Sequence, residues 1–364
     1  WYLMLSKYHA QYREWFETKN DWRKAVKNFV DSLSEKEMVN RAITRDLDWG
    51  IDVPLEEAKN KKLYVWFDAP IGYVSNTKQA LLEMNSSEDY LVDWWQNPKT
   101  EITHFIGKDN IIFHAIIFPV MSLASGRVRG VDQLPANQYV NLAGKQFSKS
   151  KGWYVDAEEA INEFGSDFMR YYLTNLIPET NDSNFEWEAF EQRINGELAN
   201  NIGNFMSRCF KFIQKNFPEG ISSRYFESFW DSNECGKIDS HILKYHELMN
   251  EFKIKDSLAE IMSLGHNANL FFSDKAPWAL IKEDREQTQK VLAWSVTYAL
   301  TLGVFLSPFL PHLSEKILSY FKINQDIVNK VYQGELILIK TVFENGFKIE
   351  QEVEPLVPKI DSAR

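Results

Sequence analysis

Cysteine is scarce: Cys209 and Cys235 are the only two in 364 residues. They form no CxxC pair and no repeated spacing, which excludes a legible zinc knuckle or disulfide framework, and two free thiols suit a reducing cytoplasm. Long apolar runs are missing as well. No stretch of 18 residues is free of polar interruption, and the opening WYLMLSKYHAQYREWF lacks the layout of a signal peptide. Nothing points to export or to a membrane, so a cytoplasmic location is expected. An excess of basic residues is also lacking, since 41 Lys and Arg stand against 51 Asp and Glu, a formal net charge of −10. Holding nucleic acid by bulk charge needs clustered Lys and Arg, so any RNA contact has to be local and selective. Internal repeats and low-complexity tracts are absent, and the chain opens without an initiator Met, as an interior start would.

What is present is length and aromatic mass. The chain exceeds the roughly 250–300 residues at which single cores split, so at least two domains are expected. Aromatics make up 14%, with 12 Trp and 25 Phe, enough for aromatic cores or stacking surfaces. Residues 1–27 place Tyr8, Tyr12, Trp15 and Phe16 on one helical face. Three short apolar runs, KLYVWF at 62–67, ITHFI at 102–106 and QYVNL at 138–142, read as buried strands. The second leads through GKDN into an apolar helical segment that stops near Gly126, the strand, turn and helix layout of an α/β nucleotide fold. After the first run, Pro70 and Gly72 are expected to bar regular structure.

Asp156 and Glu159 form a capping-box pattern opening a short helix that Gly165 can close. From Phe190 the pattern is helical. Phe190, Ile194, Leu198, Ile202, Phe205, Cys209 and Phe212 recur every three or four residues as one stripe. A second stripe, Tyr245, Leu248, Phe252, Leu258 and Ile261, shifts phase on the way. VLAWSVTYALTLGVFL is apolar on nearly all sides and reads as a central bundle helix, ended by Pro308, with Pro311 in the first turn of the next. The α/β part gives way to the helical part within 177–185.

Four stretches carry chemistry: YVWFDAPIGY (64–73), HFIGKDNIIFHAIIFP (104–119), NLAGKQFSKSKG (141–152) and KAPW (275–278). A lysine-rich loop between glycines either meets an anion or is a solvated turn. Gly107 allows close backbone approach to a ligand, while Asp109 reads equally as a ligand contact or a helix cap. Trp66 and Phe113 read locally as core, and His114 as a satisfied core histidine. Asn204 and Arg208, four apart in NIGNFMSRCF, share a helix face. With Trp278 they are either a surface pair beside a packing ring or a set able to read and stack an exposed base.

In this order and spacing the four stretches resemble the methionyl-tRNA synthetase family of class I, from the first residues to LVPKI. The resemblance implies the α/β second half of a Rossmann-like class I catalytic domain followed by an all-α helical-bundle anticodon-binding domain. The division expected is 1–30 as the end of a connective insertion, 31–138 as catalytic core, 139–181 as the KMSKS loop with a stem-contact region, and 182–364 as the anticodon domain. It implies ATP-dependent formation of methionyl-adenylate and transfer to tRNA(Met). Lys149 becomes the catalytic charge. Gly107, Asp109, Val140, Ser148 and Lys149 become ATP contacts, Val140 on the adenine side. Trp66, Ala69, Pro70, Tyr73, Phe113 and His114 become the methionine pocket, aromatic faces being suited to a polarizable thioether. Arg45 lies near both ligands, and Asn204, Arg208, Pro277 and Trp278 recognise the anticodon. The partners implied are methionine, tRNA(Met) and ATP with Mg2+, and no membrane.

Two family features are absent from these 364 residues: the HIGH sequence and the cysteine pairs that hold zinc in many members. No metal ligand set is therefore assigned. The chain is expected to be a fragment with little methionine activation of its own. The first lysine of the KMSKS pattern is Gln146, flanked by Lys145 and Lys151, either of which can compensate. A non-catalytic tRNA-binding scaffold is the alternative function. It has no use for Lys149, Gly107, Asp109 and the pocket residues together. A different nucleotidyl-transferase is disfavoured by Asn204, Arg208 and Trp278.

Overall fold

The computed structural model describes residues 1–323, 325–333 and 338–361. They form two compact units, Trp1–Tyr139 with Pro178–Asp182, and Val140–Ile177 with Ser183–Arg364. Of the expected segment 182–364, residues 324, 334–337 and 362–364 lie outside the described residues.

In the first unit the helix Leu5–Glu17 buries Leu5, Tyr12 and Phe16, while Tyr8 and Trp15 pack partly buried on the same core. The Tyr12 hydroxyl donates to the Ala115 carbonyl at 2.7 Å, tying this helix to the segment that carries Phe113 and His114. That segment is π-helical over Phe113–Ile117 and α-helical over Phe118–Ser125, ending at Gly126 in the left-handed region with φ 61°. Glycine tolerates that conformation without a Cβ clash. Ile106–Gly107 pairs in parallel with Ala136–Asn137, and Thr103 bridges Gln133 in the same sense. The order is strand, turn, helix, strand, with Gly107 at the strand end.

The first expected strand is corrected. Only Lys62–Leu63 is extended, paired with Thr44–Arg45, and Val65–Asp68 is helical. Nor do Pro70 and Gly72 interrupt the chain. Pro70 sits in the first turn of the short 3-10 helix Ala69–Ile71, and Gly72 opens the helix Gly72–Glu83. Proline's missing N–H costs nothing in a first turn, and a short apolar run does not by itself distinguish strand from helix.

In the second unit Val140–Leu142 lies between Lys145–Gln146, antiparallel, and Ser183–Phe185, parallel. Asp156 caps Ala157–Phe164 by accepting from the Glu158 and Glu159 amides. The stripe Phe190, Ile194, Leu198, Ile202, Phe205, Cys209 is fully buried through three consecutive helical segments, and its last expected member, Phe212, is half-buried. The second stripe shifts phase because its helix ends: Asn233–Asn250 gives way to Ile254–Lys275 through Phe252 at φ 57°. Every residue from Ser295 to Leu306 of the helix Arg285–Leu306 is buried. This helix is long and apolar enough to cross a membrane, the one such among the described residues, and here its apolar surface faces protein. Ser295, Thr297 and Thr301 return their hydroxyls to carbonyls one turn back, so these three buried hydroxyls are satisfied.

At Gly303 of this helix a Cβ would stand 2.8 Å from Ile317 Cγ2 and 2.9 Å from Leu318 Cδ2. Gly303→Val is expected to cost about 1–3 kcal/mol of stability by overpacking, read as a lowered midpoint in urea unfolding.

Candidate functional site

In the first unit the two aromatic motifs meet. Trp66 and Phe113 stack with centroids 5.0 Å apart, and Tyr73 Oη lies 2.9 Å from His114 Nε2. The other ring nitrogen of His114, Nδ1, is 3.0 Å from the carbonyl of Asn110 one turn earlier. A carbonyl only accepts, so Nδ1 carries the proton. Burial pushes the imidazole pKa down, so His114 is neutral at pH 7 and Nε2 accepts from the Tyr73 hydroxyl. Pro70 is buried beside this cluster in sequence, and Ala69 is exposed.

His104 joins them. Its ring centroid is 4.5 Å from that of Tyr73, 5.2 Å from His114 and 5.5 Å from Phe118. It is only 6% exposed, and neither ring nitrogen has a hydrogen-bond partner. Burial, reinforced by the His114 ring, pushes its pKa down to about 4. His104 belongs to the HFIGKDN stretch. The sequence signal was therefore present, and only the fold shows the imidazole under Tyr73.

At the strand end, a Cβ on Gly107 would lie 2.8 Å from Asp109 Oδ1, the tip of an exposed side chain that can move aside. The Asp109 carboxylate is exposed, and no side chain caps the short helix Lys108–Asn110, so Asp109 is not acting as a cap. Lys108 instead bonds Asp182 at 2.7 Å and lies over the Tyr139 ring at 4.1 Å. Its ammonium and the Tyr139 amide hold the Asp182 carboxyl below its usual range. Arg45 sits 4.2 Å over the Tyr64 ring. Together with Phe113, Phe67 and Ile112 these residues line a cavity of about 340 Å³.

In the second unit Val140 is half-buried at the start of the central strand, and Gln146, Lys149 and Ser150 are exposed. Lys149–Lys151 forms a single 3-10 turn closed by an antiparallel bridge between Ser148 and Trp153. Ser148 Oγ is 3.3 Å from Ser150 Oγ. Trp153 pins the loop base, its indole N–H donating to the Leu142 carbonyl at 3.0 Å, and Lys145 lies 5.3 Å over its ring. Lys145 is therefore engaged on Trp153. Neither Trp153 nor its hold on Lys145 was legible, because an aromatic anchor eight residues downstream has no spacing signal.

Farther along the same unit, Arg208 lies 5.1 Å from the Trp278 ring and 5.2 Å from Phe272 and donates to Ser273 Oγ at 3.2 Å. Asn204, exposed, stands one turn earlier. Pro277 is buried and opens the short helix Pro277–Leu280, after Ala276 at φ 39°, and turns Trp278 outward at 44% exposure. A cation on one face of a ring that leaves surface free is an arrangement that can stack and read a base. Among the described residues no group of three or more His, Cys, Asp or Glu could hold a metal ion.

An α/β part followed by a helical part is the layout of a class I synthetase, and comparison with known proteins gives the family. The chain belongs to the family described as tRNA synthetases class I (M), whose model matches residues 1–210. Residues 230–352 match the anticodon binding domain of methionyl tRNA ligase. Curated relatives named methionine–tRNA ligase include that of Pyrococcus furiosus, 38% identical over 337 residues, and that of Bacteroides fragilis, 39% identical over 320 residues. These alignments cover 89% and 87% of this chain and 46% of each relative; the chain thus spans about half the length of the relatives it matches. Among solved structures, Mycobacterium tuberculosis methionyl-tRNA synthetase with methionyl-adenylate superposes at TM-score 0.82 and 22% identity, over 98% of this chain and 68% of that one. That likeness establishes the fold, an α/β part followed by a helical part, which the two family models describe as class I (M) synthetase and anticodon binding domain.

The unfolded His104 imidazole titrates near 6.5 and the folded one near 4. Between those values the unfolded chain binds a proton that the folded chain refuses, so His104 lowers stability as pH falls through that window. His104→Phe removes this penalty. From pH 7 to pH 5 the variant should gain about 2 kcal/mol on the parent, at about 1.4 kcal/mol per pH unit, measured by urea unfolding at both pH values.

Proposed function

We propose that the native protein carrying this chain is a methionine–tRNA ligase. The observation that carries the reading is the Trp66–Phe113 stack beside the Tyr73–His114 hydrogen bond, in a chain of the class I (M) family. Flat, polarizable walls with a fixed polar tip suit a thioether side chain. In this reading Trp66, Ala69, Pro70, Tyr73, Phe113 and His114 receive methionine, with Arg45 near its polar end. Gly107, Asp109, Val140, Ser148 and Lys149 receive ATP, which enters with Mg2+ as substrate. The work belongs in the cytoplasm. The four-part division at 30/31, 138/139 and 181/182 is the domain plan that goes with it.

A methionine carboxylate oxygen attacks the α-phosphorus of ATP, the bond to the β,γ-diphosphate breaks, and pyrophosphate leaves with the electron pair. Negative charge grows on that leaving group. Lys149, exposed on a turn pinned at both ends, stabilises it more in the transition state than in the ground state. Lys145 lies over the Trp153 ring, and Lys151 shares the 3-10 turn with Lys149, so both stand close to the charge missing at Gln146. A terminal ribose hydroxyl of tRNA(Met) then attacks the methionyl carbonyl, and AMP departs. Asn204, Arg208, Pro277 and Trp278 select the tRNA through its anticodon. Contacts to bases rather than to bulk phosphate charge fit a chain of net charge −10.

Two substitutions in the native protein separate the steps. Lys149→Ala should lower kcat for adenylate formation by about a hundredfold or more, the usual loss for one transition-state electrostatic contact, with little change in methionine affinity. Trp278→Ala should leave pyrophosphate exchange intact while weakening tRNA binding by about tenfold to a hundredfold, the worth of one stacked base. Equal loss of both activities in the second variant would reduce Trp278 to packing.

A further inference from the structure

Away from the ring cluster, the first unit holds a cavity of about 460 Å³ where the end of the helix Leu5–Glu17 meets the end of the helix Phe118–Ser125. Trp15, Lys19, Pro119, Leu123, Val128 and Gly130 are among its walls, and none of the residues assigned above to methionine, ATP or tRNA is. Lys19 is out of balance there. Its side chain is 11% exposed, and lysine is seldom buried to this degree without a close partner. Its carboxylate partner, Asp132, stands 3.5 Å away, beyond the usual range of such a bond. That carboxylate is already held by others. Arg129 reaches both of its oxygens, at 3.1 and 3.2 Å, and the Ile102 amide donates to it at 3.0 Å, while Arg129 is itself fixed by the Asn97 and Thr100 carbonyls. Two cations thus face one carboxylate, and the uncompensated charge is that of Lys19. An ammonium has three N–H donors. Beyond Asp132 the Lys19 ammonium meets the Trp15 ring, 4.9 Å from its centroid, so two donors have no oxygen partner among the described residues. Burial lowers the Lys19 pKa, Asp132 offsets part of that, and Arg129 adds to the lowering, as follows for an ammonium with less counter-charge than its burial calls for.

We propose that this cavity binds a small organic monocarboxylate with an apolar body, its carboxylate on the Lys19 ammonium and its body against Trp15, Pro119, Leu123 and Val128. One excess cation matches one negative charge, and a doubly charged phosphate would leave a charge unpaired in the cavity. The apolar walls and the volume ask for a hydrocarbon part as well as a charge. A glycine keeps the aromatic wall open. A Cβ at Gly130 would lie 3.0 Å from Trp15 Cζ2 and 3.3 Å from its Nε1, so a side chain there would cover the indole edge. The Trp15 indole N–H makes no hydrogen bond among the described residues and is a second donor for the ligand. The helix Phe118–Ser125 reaches the cavity with its carbonyl end, through Gly126. That end carries partial negative charge, which leaves Lys19 as the place for the carboxylate.

The test follows the tryptophan indole N–H correlation spectrum of the native protein as phenylacetate is added, the Trp15 peak being identified by its loss in Trp15→Phe. That peak should shift saturably. Phenylacetamide keeps the ring and lacks the charge, and should bind about tenfold to a hundredfold more weakly, the worth of one hydrogen bond to a charged group. Lys19→Met removes the ammonium, leaves Asp132 paired with Arg129, and should weaken phenylacetate by the same factor. Lys19→Arg returns the charge and should recover part of the loss. No saturable shift of the Trp15 peak, equal binding of acid and amide, or unchanged binding in Lys19→Met would overturn the assignment and leave Lys19 as a structural partner of Asp132. Inorganic phosphate moving the peak as strongly as phenylacetate would overturn it too, because the cavity would then take a bare anion.

Discussion

The hydrogen bond from the Tyr73 hydroxyl to His114 Nε2, at 2.9 Å, is the contact on which the candidate substrate site depends. It joins two stretches of chain 41 residues apart. One is the helix Gly72–Glu83 that follows the 3-10 turn at Pro70, and the other is the π-helical stretch after Gly107. The bond has a direction because the Asn110 carbonyl takes the opposite proton of the ring. Remove that carbonyl's grip and the imidazole is free to change tautomer, the Tyr73 hydroxyl loses its acceptor, and Tyr73 no longer has a fixed place beside His104. A π-helical segment of this kind is frequent at functional sites, and Tyr12 anchors its carbonyl at Ala115.

The second unit solves a different problem. In the proposed function the lysine that faces phosphate has to be exposed, and an exposed lysine on a long loop loses entropy when it is brought to one geometry. The chain limits that loss by making the turn short and closing it through Ser148 and Trp153, then bonding the indole to the central strand at Leu142. The same economy of motion recurs at Trp278. A buried Pro277 and a left-handed Ala276 hold the ring half out of the surface with Arg208 on it. Both sites borrow rigidity from a core whose centre is the helix Arg285–Leu306, buried on nearly every side.

Much of this was legible in the sequence because it follows from periodicity and from residues with one conformational use. The stripe from Phe190 to Cys209, the cap at Asp156 and the stop at Gly126 are local signals, and the structure keeps them. The run at 62–67 was misread because a short, mostly apolar run fits a strand or a helix equally well, and the choice was made by tertiary contacts such as the Trp66–Phe113 stack. His104, Trp153 and the tautomer of His114 were out of reach for another reason. Each matters through a partner that is distant in sequence or is a backbone carbonyl, and neither kind of partner leaves a mark in residue spacing. The motifs pointed to the candidate site, while the direction of its protons came from the geometry.

That direction can be observed. A long-range proton–nitrogen correlation spectrum of the imidazoles at pH 7 should show His114 neutral, with Nδ1 protonated and Nε2 bare and shifted as a hydrogen-bond acceptor. The burial that lowers its pKa should keep that state as the pH is brought below the ordinary histidine value. An Nε2-protonated tautomer, or a doubly protonated ring at pH 7, would contradict the account, because the Tyr73 hydroxyl would then be the free donor in the site.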